Sequence, residues 1–345
     1  MANIMITERC NLNSMCTFLN GFMNNEDMDI EMDKFSKAVD FILTDEKGKV
    51  GIVGGEPTMH PQFKNILDFL ISNKKVKNVL ITTTGFGIEK FFNQISNQKF
   101  SMIVNCNPPS EIGEENYEQL LSNLDFLINK HYMKDKITLG LNIYGPETEY
   151  THIIELLKRY SYKHVRLSMI ISNDDIERKA NPAEYQQKMQ LFVKELFFQL
   201  YEIGVVPQYD CNVLPSCFLS NEDKVFLEEI ITKNDIKGVD LWNDDAHCDP
   251  VINILPDLHA VRCFGLALNE KIDISEFNNI EELRCYFNNR FDAYAYNTCS
   301  SPLCYDCQKR LVSKCSGGCL ALKIDKIEKI RDFTEEINDV LALNR

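Results

Sequence analysis

Short apolar runs alternate along the first half of the chain with stretches whose apolar residues recur every three or four positions. Residues 2–7, 50–53, 79–82, 102–105, 138–143 and 165–170 are short and rich in β-branched side chains, which marks them as strands. Between them lie helical stripes: Phe35, Val39, Ile42 and Leu43; Phe63, Ile66, Leu67 and Leu70; Tyr117, Leu120, Leu124 and Leu127; Ile153, Leu156 and Leu157. A long helix is predicted over 182–201, opened by a proline, and an amphipathic helix over 327–343. Six strand–helix units in a row predict an α/β protein with a parallel sheet and right-handed crossovers. No seventh or eighth unit stands out, so the expected fold is an open, partial (β/α)6 parallel barrel. Ligands in such folds sit at the C-terminal ends of the strands.

The periodicity weakens after Gly204. Asp210-Cys211-Asn212 and Pro215-Ser216-Cys217 read as loop, and the chain after Trp242 is short-segmented and rich in cysteine. The expected division is a barrel over 1–205, a bridging region over 206–247, a small Cys-rich domain over 248–325 and a C-terminal helix over 326–345. The sequence shows no low-complexity tract and no repeat beyond the strand–helix alternation.

Composition narrows the functional classes. Apolar residues make up 44% of 345 residues, enough for a sizeable core, and the net charge of −14 argues against a nucleic-acid backbone or an anionic membrane as partner. The N-terminus lacks a basic segment followed by a long apolar run, and no stretch reads as a bilayer span, so a cytoplasmic protein is expected. Thiols stay reduced there, and the 13 cysteines read as metal binding or catalysis rather than as a disulfide framework.

Six of those cysteines crowd the last hundred residues: Cys248, Cys263, Cys304, Cys307, Cys315 and Cys319. Cys304-Tyr-Asp-Cys307 is a CxxC, and Cys315-Ser-Gly-Gly-Cys319 holds two glycines between its thiols. Such turns aim paired thiolates at one ion or cluster, and glycines let backbone N–H groups approach the sulfurs. Zinc and iron–sulfur chemistry share this spacing. Nearer the N-terminus, Gly54-Gly55-Glu56-Pro57 follows the second strand directly. Glycines there allow a close approach to a ligand, and a carboxylate could hold a ligand amine or ribose, although an ordinary βα turn would look the same.

The segment after the first strand, Thr7-Glu8-Arg9-Cys10-Asn11-Leu12-Asn13-Ser14-Met15-Cys16, resembles the cluster-binding loop of the radical S-adenosylmethionine (SAM) superfamily. Gly54-Gly55-Glu56-Pro57-Thr58-Met59-His60-Pro61 is similar to that superfamily's second-strand motif, and Thr83-Thr84-Gly85 to its Thr-Asn-Gly. The later cysteines resemble its SPASM or twitch extension. Cys248 and Cys263 fit the opening, with Leu258 where the family usually has glycine, and Cys304-x2-Cys307-x7-Cys315-x3-Cys319 fits the core. The resemblance spans about residues 4–322.

The resemblance implies a [4Fe–4S] cluster and SAM as cofactors. Cys10 and Cys16 would hold the first cluster, and Gly54, Gly55, Glu56, Thr84, Gly85, Asn142 and Ser168 would face SAM. At least one auxiliary cluster would draw Cys304, Cys307 and one of Cys315 and Cys319 together with Cys248 or Cys263. A second would need Cys285, Cys299, Cys211 or Cys217. Helix packing for Cys285, packing for Tyr294 and Tyr296, and helix capping for His60 are the plainer readings.

The chain departs from the family most at the first cluster loop. The superfamily's cluster loop is Cys-x3-Cys-x2-Cys, whereas Ser14 and Thr17 stand where its second and third cysteines would fall. Two thiolates bind a cluster more loosely than three, and a serine oxygen is a hard ligand for a soft task. Cys106 and Cys211 could fill in, or be plain core and loop cysteines.

The function implied is reductive cleavage of SAM to a 5′-deoxyadenosyl radical, which takes a hydrogen from a peptide or protein substrate. Such an oxidoreductase would need an electron donor such as flavodoxin or ferredoxin. A leader peptide would need a separate leader-binding protein, because the chain opens close to its first strand. Two other readings stay open: a pseudoenzyme that has lost the first cluster and serves as a binding or scaffolding protein, and a zinc-binding structural protein.

Overall fold

The computed structural model describes residues 2–10, 28–45, 47–170, 182–211, 219–242, 247–249 and 251–343. Strands β1 (Ala2–Met5), β2 (Lys49–Val53), β3 (Asn78–Thr83), β4 (Phe100–Asn105), β5 (Ile137–Ile143) and β6 (His164–Met169) run parallel and neighbour one another in chain order. Helices α1 (Met32–Ile42), α2 (Phe63–Ser72), α3 (Glu114–Leu124), α4 (Thr151–Arg159) and α5 (Pro182–Glu202) form the outer layer. This is the open, partial parallel barrel that the hydrophobic pattern predicts.

Side chains alternate across each strand, so each strand offers one row to each face. The row of Val50, Ile52, Val79, Ile81, Met102, Val104, Leu139, Leu141, Val165 and Leu167 meets the helical stripes in one buried core. Phe35, Phe63, Leu120, Ile153 and Leu156 supply the helix side. Each such side chain contributes about 1.5–3 kcal/mol when fully buried. The opposite row carries Thr82, Asn105, Asn142 and Arg166, all half-buried, so the concave side of the sheet is polar and partly open.

Two elements escape the sequence reading. A seventh parallel strand, β7 (Val206–Cys211), pairs with β6 where a loop was expected. It contains Pro207 and closes the edge of the sheet, where a missing N–H costs no ladder bond. Helix α6 (Asn221–Lys233) then lies within the stretch expected to bridge. Its N-terminus is a reciprocal capping box between Ser220 and Asp223, a signal present in the sequence.

The later chain joins the same sheet. Strand β8 (Asn253–Ile254) pairs parallel to β1, and β9 (His259–Val261) and β10 (Ile272–Asp273) continue antiparallel, giving the order β10-β9-β8-β1-β2-β3-β4-β5-β6-β7. A second, small core of Met5, Leu255, Val261 and Ala267, with Val53 and Phe264 against it, fixes this part to the first two strands. Helices α7 (Ile280–Arg290) and α8 (Ile324–Leu343) complete the fold. Among the described residues no helix is long and apolar enough to cross a membrane.

Candidate cofactor cleft and cysteine-rich region

The C-terminal ends of β1, β2 and β3 are bound to one another by main chain and by one carboxylate. Ile6 N–H donates to Val53 O (2.9 Å), Gly55 N–H to Thr7 O (2.9 Å) and Glu56 N–H to Arg9 O (2.7 Å). A Cβ on Gly54 would stand 2.9 Å from Thr7 O, and one on Gly55 would overlap Arg9 O. The two glycines therefore serve, first, the approach of the chain's own Cys10 segment.

Glu56 is fully buried and accepts from Thr58 N–H (3.1 Å), Thr83 Oγ1 (2.8 Å), Thr84 N–H (2.6 Å) and Thr84 Oγ1 (2.8 Å). Its carboxylate ties the turn after β2 to the turn after β3. What this turn offers a ligand is consequently the backbone around Glu56, because the side chain is committed to donors of its own chain. Thr83 Oγ1 also accepts from Gly85 N–H (3.0 Å), and Gly85 O accepts from Asn123 Nδ2 on α3 (2.9 Å).

The segment that carries Cys10 leaves β1 and returns at its own base. Glu8 N–H donates to Met28 O (2.9 Å), and Ile30 N–H to Ile6 O (2.8 Å). Asp29 accepts from Thr7 Oγ1 (2.6 Å) and pairs with Arg9 Nε (3.1 Å). Cys10 lies at this clamp, half-buried. Cys16, Ser14 and Thr17 lie outside the described residues, as does Cys217. His60 caps: its Nδ1 accepts from Gln62 N–H (3.0 Å) at the start of α2, leaving Nε2–H to donate to Ile30 O (3.0 Å). Burial lowers its pKa, in keeping with this neutral ring.

On the concave face Asn142 and Ser168 stand opposite each other on β5 and β6. Asn142 Oδ1 accepts from Arg166 Nη1 (2.7 Å), which also reaches Asn105 Oδ1 (3.1 Å). Arg166 and Asn105 were not singled out from sequence; the cue is a charged residue on the polar row of an otherwise apolar strand. At the mouth of the barrel, beyond β4 and β5, burial and then the Glu149 carboxylate push Glu111 up to about 7. Cys106 is a core thiol, 2% exposed and raised to about 12 by burial, and His152 Nε2 lies 2.8 Å from its carbonyl oxygen. It does not face the Cys10 segment's cleft but belongs to the helix-side core.

The later cysteines lie near one another in the extension. Cys319 hydrogen-bonds to Cys248, and Cys248 acts on Cys263 electrostatically. Cys304 feels the thiols of Cys299, Cys315 and Cys307. Cys248, Cys299, Cys315 and Cys319 all act on the Lys323 ammonium. Between Cys315 and Cys319 the chain turns through Gly317 and Gly318, whose φ angles are +77° and +91°. Cys285 does lie on a helix, α7, but is exposed rather than packed. Tyr294 packs on the main core, and the half-exposed Tyr296 reaches His247 Nδ1 through its hydroxyl (2.8 Å).

Two buried cations hold this region. Arg262, 1% exposed, pairs with Asp292 through Nε (2.8 Å) and Nη2, and its Nη1 lies 3.6 Å from Cys248 Sγ and 4.0 Å from Cys263 Sγ. The bond from Cys319 and the charge of Arg262 outweigh burial and bring Cys248 down to about 6. Lys323, 2% exposed, donates to the carbonyls of Ala295 (2.6 Å), Thr298 (3.3 Å) and Ser316. Burial draws it down to about 8, against the opposite pull of Cys248, Cys299, Cys315 and Cys319.

Among the described residues no three His, Cys, Asp or Glu side chains come together as a set that could hold a metal ion. Four sulfurs around one zinc stand about 3.8 Å apart, from a bond of about 2.3 Å. A [4Fe–4S] cube is larger and separates its thiolates more. The donors fit such a group: soft thiols, a backbone N–H on Cys315 Sγ from Gly317 (3.3 Å), and buried cations to offset negative charge.

Fold and site together define an open parallel barrel with its motif-bearing turns gathered at the strand ends and a cysteine-rich extension on its first edge. Comparison with solved structures finds the same fold in SuiB of Streptococcus suis. Its crystal structure with S-adenosylmethionine has a TM-score of 0.58 at 14% identity, covering 94% of this chain and 73% of that one. A further crystal structure of SuiB gives 0.58 at 13% identity, with coverage of 94% and 73%. Its structure with the precursor peptide SuiA gives 0.56 at 16% identity, with coverage of 94% and 72%. At these identities the likeness is one of fold. No protein-family model and no curated protein matches the chain.

Proposed function

We propose that this protein is a radical SAM enzyme that modifies a peptide or protein substrate. The observation that carries this reading is the assembly of all three resembling motifs at one end of the sheet. The Cys10 segment, the Gly54-Gly55-Glu56 turn and the Thr83-Thr84-Gly85 turn are bonded into one cleft by Glu56 and by main-chain hydrogen bonds. The fold shared with a protein crystallised with SAM and with a precursor peptide agrees with it.

In this reading Cys10 and Cys16 hold the first [4Fe–4S] cluster. Gly54, Gly55 and Glu56, through their backbone, together with Thr84, Gly85, Asn142 and Ser168, would hold SAM. When bound, the cluster supplies the electron that opens SAM to the radical. The chain's own part is to bind, orient and exclude water. Glu56 fixes the spacing of two turns, and the polar concave face holds the substrate segment. Cys248, Cys263, Cys304, Cys307, Cys315 and Cys319 hold auxiliary iron–sulfur chemistry. The reducing electron comes from a flavodoxin or ferredoxin.

The test is anaerobic. Reconstituted protein with dithionite and SAM should yield 5′-deoxyadenosine, and calorimetry should show SAM binding. Glu56→Ala should weaken that binding about tenfold or more, since four donors lose their shared acceptor, and about 1.4 kcal/mol suffices for that factor. Equal affinity in the variant, or no binding by either protein, overturns the reading.

A further inference from the structure

Helix α6 hides a charge and shows its apolar side chains. Lys224 is 6% exposed, with its ammonium 5.1 Å from the centre of the Trp242 ring. The next two residues, Val225 and Phe226, are 51% and 49% exposed. Leu227 and Ile230 form the buried stripe, so by the helical period Val225 and Phe226 point away from the core. The helix is held in this orientation from both sides. Its capping box fixes the start, Asp223 pairs with Lys194 of α5, and Phe226 meets the Phe198 ring of α5 edge-on at 5.1 Å. Adjoining exposed apolar side chains held this firmly mark an interaction surface rather than loose packing.

Carboxylates frame the apolar pair. Glu222 and Glu229 are exposed and lie on the same face of α6 as Val225 and Phe226, at helical spacing. An open groove of about 490 Å³ runs beside them, lined by Val225, Glu228, Glu229, Thr232 and Lys233. Glu228 Oε1 accepts from Trp242 Nε1 (2.5 Å), which brings the chain's one tryptophan, 39% exposed, to the same surface. We infer that the outer face of α6 docks a basic peptide segment, whose apolar side chains lie on Val225, Phe226 and Trp242 and whose Lys or Arg side chains meet Glu222 and Glu229. The apolar contacts supply the affinity, and the carboxylates select the sign of the charge and speed the encounter. A second copy offering the same face would set carboxylate against carboxylate, which disfavours a symmetric pair here. In the reading proposed above, the docked segment is part of the substrate, held on the outer layer while another part of it is modified. The docking face itself needs neither cluster nor SAM.

Trp242 makes the test direct, because all tryptophan emission of the full chain comes from this surface. The probes are a synthetic amphipathic peptide of Lys and Leu and its counterpart of Glu and Leu. The Lys–Leu peptide should change the emission saturably, and the Glu–Leu peptide should not. Glu229→Lys should weaken the binding about tenfold. Phe226→Ser should weaken it comparably, and Glu155→Lys, an exposed site on α4, should leave it unchanged. Binding of neither peptide, equal binding of both, or equal weakening by Glu155→Lys and Glu229→Lys overturns the inference. So does a wild-type chain that sediments as a dimer and becomes a monomer in Phe226→Ser, which would give the face to a second copy. The titration uses protein without iron or SAM, so its failure is separate from a failure to form 5′-deoxyadenosine.

Discussion

The barrel strands and the cysteine-rich extension share one sheet but are held together by different means. Around β2 to β6 the core is aliphatic and aromatic, and polar contacts are confined to the strand ends. Around β8 to β10 the main core continues through Ile254, Ala260, Ile274, Leu283 and Phe287, a small second core of Met5, Leu255, Val261 and Ala267 joins it, and two buried cations, a carboxylate and thiols are added. An apolar core tolerates exchange of like for like, whereas a polar core fails when one partner is removed. The first region can therefore fold as a scaffold indifferent to cofactor, and the second is where folding and cofactor loading should be linked.

The sharpest way to break this contrast is to remove the cation. Arg262→Met leaves Asp292 without its partner and the thiols of Cys248 and Cys263 without their nearest positive charge. Breaking a buried pair of this kind costs about 3–5 kcal/mol. Iron content should fall with stability, read by denaturant unfolding beside metal analysis. Leu139→Ala, in the barrel core, should cost about 2–5 kcal/mol and leave iron per folded chain unchanged. Equal loss of iron in both would mean that the two regions are not distinct in this respect.

At the junction of the two regions, Gly55→Ala places a methyl group into Arg9 O, a backbone atom that cannot swing aside. Overpacking of this kind costs about 1–3 kcal/mol, and the Cys10 segment must shift to accommodate it. SAM affinity should drop more than stability does. The same segment can be sharpened instead of broken. One Cys inserted between Asn13 and Ser14 restores a Cys-x3-Cys-x2-Cys loop, which should raise iron content and the rate of SAM cleavage. A natural chain that cleaves SAM as fast as the restored one would show that another ligand already completes the loop.

A pH series separates the regions without mutation of either core. Glu111, held near 7 by burial and by Glu149, binds a proton more tightly folded than unfolded, where its pKa is about 4.5. Its contribution to stability is thus fully present below about 4.5 and is lost as pH rises toward 7. Glu111→Gln should flatten that decline in the unfolding midpoint between pH 4.5 and 7, and leave iron content untouched.

Much of the barrel was legible because its chemistry is local. β-branched runs gave all six strands to within two residues, and the helical stripes are the residues that bury. β7 was missed because Pro207 and its polar neighbours satisfy an edge rather than a core. In the extension, spacing along the chain exposed the cysteines but not their partners. The turn between Cys315 and Cys319 depends on two positive φ angles at Gly317 and Gly318, against which residues 298–300 pack. Arg262 and Lys323 look like surface charges in sequence, since nothing local marks a cation as buried. Glu56 was recognised from its motif, but its commitment to Thr58, Thr83 and Thr84 depends on a neighbouring strand.

The smallest expected effect probes the backbone of the extension. Leu258 stands in the left-handed region, with φ of +72°, at the position where the resembling motif carries glycine. The turn is fixed by its N–H to Leu255 O (3.0 Å) and by Ile274 N–H to its own carbonyl (3.1 Å). For a residue with a Cβ that conformation costs about 1–2 kcal/mol. Leu258→Gly relieves it, but gives up a half-buried side chain and adds about 0.5–1 kcal/mol of unfolded-state entropy. These terms oppose one another and leave a net change within about 1 kcal/mol. Leu255→Gly, in the small core at 4% exposure, has no such strain to relieve and should cost about 2–5 kcal/mol. Denaturant midpoints of the two variants decide the matter. If Leu258→Gly proves as costly as Leu255→Gly, the extension holds Leu258 by its side chain, and the bent backbone is not where its strain is stored.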